Sequence, residues 1–79
     1  MADFKFDIKE SLGTISESAK GWKREVNLMT WNNKKAKIDI REWDEKHEQM
    51  GKGITLNKDE LKQLKDILSK INIDELDIE

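Results

Sequence analysis

In residues 23–31, KREVNLMTW, Val26, Leu28 and Thr30 fall on one side of an extended chain, and Lys23, Glu25, Asn27, Met29 and Trp31 on the other. Residues 37–43, KIDIREW, repeat the pattern, with Ile38 and Ile40 set against Lys37, Asp39, Arg41 and Trp43. Side chains alternate across a strand, so both segments read as half-buried β-strands. Pairing them restricts the register. A slip of one residue would set apolar side chains beside polar ones, so even-numbered residues must face even-numbered residues. Three or five residues must then separate Trp31 from the next strand. Asn32-Asn33-Lys34 supplies the turn, because asparagine tolerates the left-handed region. Trp31, Met29 and Asn27 thereby share a face with Lys37, Arg41 and Trp43.

The neighbouring segments extend this sheet. DFKFDIKE, residues 3–10, sets Phe4, Phe6 and Ile8 against Lys5, Asp7 and Lys9 and predicts a first strand, half-buried through its apolar side. A short continuation from Leu12 to Ser16 crosses Gly13, where a bulge or bend is expected. SESAKG, residues 16–21, reverses the chain. Asp44 to Lys52 is expected as a polar loop and Gly53 to Leu56 as a brief fourth strand. A helix follows. Asn57 is a good N-cap, Glu60 three residues later completes a capping-box signature, and Leu61, Leu64, Leu68 and Ile71 recur on one face with Ile67 widening it. The helix is predicted to run to about Ile71. The fold class is therefore α+β: a four-stranded antiparallel sheet followed by one C-terminal helix that covers one face and leaves the other to water or a ligand. Residues 1–72 read as one domain, and 73–79 as a weakly ordered acidic tail.

A chain of 79 residues buries only about 60% of its extended surface and is marginal alone. No cysteine is present, which removes disulfides and thiolate metal sites, and the one histidine, His47, argues against a zinc centre. Neither a metal nor another cofactor is expected. Oligomerisation is the remaining support, so a homodimer is expected. No apolar run reaches the length of a signal or membrane segment, which points to a soluble cytoplasmic protein, nucleoid-associated or not, without a membrane partner.

The net charge of −2 conceals an uneven distribution. From Lys20 to Arg41 seven basic residues accompany two acids, whereas NIDELDIE, residues 72–79, carries four acids and no base. A local basic stripe matters more to a polyanion than the whole-chain sum. Two tryptophans, Trp31 and Trp43, on a basic face opposite the helix offer flat surfaces on which unpaired bases stack, at roughly 1–3 kcal/mol each. Lys37 and Arg41 between them can neutralise phosphates, and Asn27 lies on the same face. Since a duplex presents no unstacked bases, this layout favours single strands. Blander readings compete: a solvated lysine-rich face without a ligand, Trp43 covering the sheet end or a dimer interface, Trp31 as a cross-strand packing partner, Trp22 as turn packing, and Gly51-Lys52-Gly53 as a plain turn. Asp44, His47 and Glu48 sit in a polar loop with no nucleophile, so they read as solvated charge, and an enzyme is not expected.

IDIREW (38–43), a polar loop and KGITLN (52–57) leading into a helix resemble the positive cofactor four family of transcriptional coactivator domains. Gly21-Trp22, Asn27-Leu28 and Thr30-Trp31-Asn32 are similar to the pattern of its bacterial YdbC-like branch. The resemblance covers roughly residues 3–72. It implies a curved antiparallel sheet with a C-terminal helix, a homodimer, and single-stranded DNA bound with little sequence preference in transcription, replication or repair. By position it places stacking aromatics at Trp31 and Trp43, phosphate-binding bases at Lys23, Arg24, Lys34, Arg41 and Lys52, and Asn32 within the matched pattern. Asn33 stands where the family commonly has glycine. RNA binding, or a protein-interaction module using the same tryptophan-bearing face, remain the alternatives.

Overall fold

A computed structural model describes residues 5–79; Phe4, expected in the first strand, lies outside them. Four strands form one antiparallel sheet in sequence order: β1 (Phe6–Glu17), β2 (Lys23–Trp31), β3 (Lys37–Trp43) and β4 (Met50–Leu56). Helix α1 (Lys58–Ser69) follows, and then a single 3-10 turn at Ile73–Glu75. The α+β class and the order of elements agree with expectation.

The register of β2 and β3 is the one that parity demands. Val26 faces Ile40, Leu28 faces Ile38, Asn27 faces Asp39 and Glu25 faces Arg41. Five residues connect the strands. Asn32 and Asn33 both take positive φ, at 53° and 61°, and the Lys34 N–H donates to the Trp31 carbonyl at 3.0 Å. Two successive left-handed residues are what a tight hairpin turn requires. Asn33 thus fills a position where glycine is conformationally easiest.

β1 departs from simple alternation. It is one continuous strand whose pairing with β2 slips at three places, leaving Lys9, Leu12 and Ile15 as extra residues. Phe6, Ile8, Ser11, Thr14 and Glu17 therefore oppose Trp31, Met29, Asn27, Glu25 and Lys23. Each bulge adds twist and bends its strand, so three within twelve residues coil β1 around the face that carries Trp31 and Trp43. Gly13, the expected bulge, is itself in register with Val26. Phe6 and Ile8, expected on the buried side of a plain strand, are carried onto the face of the tryptophans.

β4 begins at Met50, three residues before the expected Gly53, and shortens the loop to 44–49. Its pairing with β3 is irregular between Arg41/Gly53 and Trp43/Met50. Gly53 abuts β3 so closely that a Cβ would overlap the Arg41 Cβ and the Ile40 carbonyl oxygen.

α1 starts as expected. The Asn57 side chain accepts from the Glu60 N–H (2.8 Å), and the Glu60 side chain accepts from the Asn57 N–H (2.9 Å). The helix ends at Ser69, two residues before the expected limit. Among the described elements it touches only β3 and β4. Leu61 and Leu64 are half-buried, while Ile67, Leu68 and Ile71 remain exposed, as does Ile54 on the sheet. The accessible surface is 6798 Å², whereas a compact monomer of 9.3 kDa exposes about 5000 Å². The radius of gyration is 14.5 Å, against about 12 Å for a compact chain of this length. The apolar stripe that the periodicity identified is thus only partly used within one chain.

Gly53→Ala is expected to destabilise the fold by about 1–3 kcal/mol, since backbone cannot yield as a flexible side chain does. Gly13→Ala, where a Cβ meets nothing within 4 Å, is the control and should shift stability by well under about 1 kcal/mol. Urea unfolding followed by circular dichroism measures both.

Candidate nucleic-acid interface

The sheet face turned away from α1 is concave and filled by its own side chains. Met29, Asn27, Asp39 and Trp43 are all buried here although no helix covers them. Curvature is the cause: β1, coiled by its bulges, brings Phe6 across the tryptophans. The Phe6 ring lies 5.9 Å from Trp31 and 5.4 Å from Trp43, tilted by 49° and 53°. Such tilted pairs are favourable arrangements for aromatic rings.

Trp43 is 1% exposed, so the expectation of an outward-facing platform is corrected. Besides Phe6, the His47 ring lies parallel to it, with centroids 4.6 Å apart and planes within 8°. The loop holds His47 in place through its backbone. The His47 N–H donates to the Asp44 carbonyl (3.0 Å), His47 adopts φ 61°, and the N–H groups of Glu48 and Gln49 then converge on Asp44 Oδ1 at 2.7 and 2.8 Å. On the ring, Nε2 lies 3.0 Å from Glu25 Oε2. His47 is therefore a cover for Trp43 and a partner of the buried Glu25, not the plain solvated charge that its polar surroundings suggested. No periodicity could have revealed this, because a loop residue has no face.

Arg41 is held beneath the surface. Its Nε and an Nη group donate to the two oxygens of Asp39 at 2.7 and 2.8 Å, and the other Nη group donates to the Gly51 carbonyl at 3.3 Å. Its Cζ sits 4.8 Å from the centre of the Trp31 ring, within cation–π range. The Asp39 side chain is fully buried and that of Arg41 is 13% exposed. Arg41 thus orients Trp31, and its charge is already shared with a carboxylate. Asn27, also a candidate, is fully buried and donates to Glu25 at 3.2 Å.

The remaining candidates divide by parity. Lys23 pairs with Trp43 and Lys37 with Met29 on the tryptophan side, and both are exposed. Lys34 and Asn32 are exposed in the hairpin turn, where the Asn32 side chain accepts from the Lys5 N–H at 2.9 Å. Lys52 is exposed at the irregular start of β4. Arg24 is not brought to this face. It lies opposite Glu42 on the helix side, with the charges 3.6 Å apart. Two residues outside the sequence candidates lie beside this face. Phe6, 41% exposed, is the open aromatic surface over the tryptophans, and Lys5 precedes it beside the Asn32 turn. Their placement depends on the β1 register, which the sequence pattern did not disclose.

A family model described as Transcriptional Coactivator p15 (PC4) matches residues 18–67. An uncharacterised protein of Treponema pallidum (strain Nichols) is 38% identical over 72 residues, covering 91% of this chain and 85% of its own length. The chain belongs to the PC4-like family. That family is known for single-stranded-DNA binding and comprises nucleic-acid-binding, non-enzymatic domains. Its match spans β2, β3, β4 and most of α1, and thus includes both Trp31 and Trp43. Among the described residues, no helix is long and apolar enough to cross a membrane.

His47→Ala should uncover Trp43. The expected readout is a red-shifted emission and stronger acrylamide quenching, both absent when the same substitution is made in a Trp43→Phe background. Asp39→Ala should cost about 3–5 kcal/mol in urea unfolding, because it leaves the part-buried guanidinium of Arg41 without its carboxylate.

Proposed function

We propose that this protein binds single-stranded DNA, with little sequence preference, along the concave sheet face. The observation that carries the reading is the aromatic group of Phe6, Trp31 and Trp43 set among exposed lysines. Phe6 and the accessible part of Trp31 offer π surfaces to unpaired bases. Lys23, Lys34, Lys37 and Lys52 offer charge to the phosphates, and Asn32 offers a polar side chain at the turn. Arg41 and Asp39 hold Trp31 in place from below, so the platform is organised before a ligand arrives, which lowers the ordering cost of binding. Trp43 supports Phe6 from beneath and meets a base only if His47 moves aside.

The protein acts in this reading as a homodimer. The uncovered stripe of Ile67, Leu68 and Ile71 on α1, together with an accessible surface about 1800 Å² above that of a compact monomer, supports it. A standard interface takes about 800 Å² from each partner. Two concave faces on one dimer would give a strand more contacts than either face alone.

Tryptophan fluorescence titration with oligo-dT, oligo-U and an equal-length duplex tests the function. Quenching and tight binding are expected with oligo-dT, and little response with the duplex. Log affinity should fall linearly with log salt, by about 0.7 per phosphate contact. No binding of oligo-dT at low salt would remove the proposal, and preference for oligo-U would reassign the ligand to RNA. Phe6→Ala and Trp31→Ala should each weaken binding by the worth of about one stacked base, roughly 1–3 kcal/mol. Trp43→Ala, by contrast, should cost stability, about 3–5 kcal/mol, as for other buried aromatic residues.

A further inference from the structure

A groove of about 460 Å³ opens between the N-terminal end of α1 and the helix side of the sheet. Leu28 and Leu56 contribute apolar lining, and Lys35 and Lys58 border it against a single acid, Asp59. Both lysines are exposed. The groove is thus apolar within and net positive around, which is the converse of another segment of the same chain. Beyond Lys70 no base occurs, and Asp74, Glu75, Asp77 and Glu79 alternate with Ile73, Leu76 and Ile78. Those three apolar side chains are 61%, 42% and 67% exposed. Large apolar residues in an acidic segment complement an apolar groove bordered by lysines, in both shape class and sign of charge.

The geometry says whose groove is reached. The groove lies at the start of α1 and the acidic segment leaves its end, about 18 Å away for twelve residues. Within one chain the segment would have to double back along the whole helix. Two helices packed antiparallel about a two-fold axis through Ile67, Leu68 and Ile71 meet at their last turns, so the segment leaving each helix runs along the other toward its start. We infer that residues 73–78 of one protomer dock in this groove of its partner, with Ile73, Leu76 and Ile78 against the leucines and the acids beside the lysines. The inference rests on the homodimer reading and deepens it. The excess accessible surface, about twice one partner's share of a standard interface, is consistent with two contact areas, the helix stripe and the docked tail.

Sedimentation of the full chain across a dilution series tests the docking. Leu76→Ser with Ile78→Ser should raise the dimer dissociation constant by at least about tenfold, given the burial worth of such side chains. Lys35→Glu with Lys58→Glu should do likewise, and adding Glu75→Lys with Asp77→Lys to that chain should recover part of the loss. In mixed dimers of isotope-labelled and unlabelled chains, nuclear Overhauser contacts are expected from the Leu76 and Ile78 methyls to Leu28 and Leu56 of the other chain. An unchanged dissociation constant in the tail variant overturns the docking and leaves the dimer standing. Contacts found only within a chain overturn it too, as does tighter oligo-dT binding by a tail variant whose dimer is unaltered, which would set the tail on the DNA face. A wild-type chain that stays monomeric at every concentration removes the dimer reading itself, while the oligo-dT titration still judges DNA binding.

Discussion

Val26 faces Ile40 and Leu28 faces Ile38, and side chains alternate across each strand. That pairing sends Glu25, Asn27, Met29 and Trp31 to the far side of the sheet together with Asp39, Arg41 and Trp43. Everything that distinguishes the two faces follows from it. The helix packs on the aliphatic side, and the polar, aromatic side must find another way to leave water. It does so by curvature. β1, lengthened by three bulges, wraps Phe6 over the tryptophans, and the residues of one concave surface bury one another.

The consequence is a surface stiffened by ion pairing and ring packing. Asp39 and Arg41 stand two apart on β3 and meet in a two-pronged pair beneath Trp31. Removing either charge would leave the other buried without compensation, so the two act as a unit. His47 Nε2 and Glu25 Oε2, 3.0 Å apart, link the 44–49 loop to β2. Residues with the chemistry of ligand binding are here partly spent on holding the face together. The exposed aromatic and basic side chains of this face lie at its margins: Phe6 and the lysines at strand ends and turns.

The opposite side of the molecule is unfinished in one chain. α1 covers little of the sheet, and its outer stripe and the acidic segment beyond it keep large apolar side chains in water. The PC4-like family match concerns β2, β3, β4 and the capped helix, since it covers residues 18–67. The acidic segment lies outside that match, and its chemistry has to be read from its own residues.

Local chemistry alone determined much of this protein. Period-two alternation marked β2 and β3, Asn57 with Glu60 marked the start of α1, and Asn32-Asn33 marked the hairpin turn, because each depends on neighbours in the chain. Parity also determined which residues share a face. Only the tertiary structure decided which members of that face are covered. Three bulges in β1 depend on how a coiled strand fits its twisted partner, and no alternation in FDIKESLGTISE encodes them. Nor does any pattern in DEKHEQ announce that His47 will lie on Trp43. Trp43 was placed correctly on its strand and face by sequence, yet its burial arises from Phe6 and His47, which arrive from distant segments. Side-chain direction is a local property of the backbone, whereas exposure is a property of the whole fold.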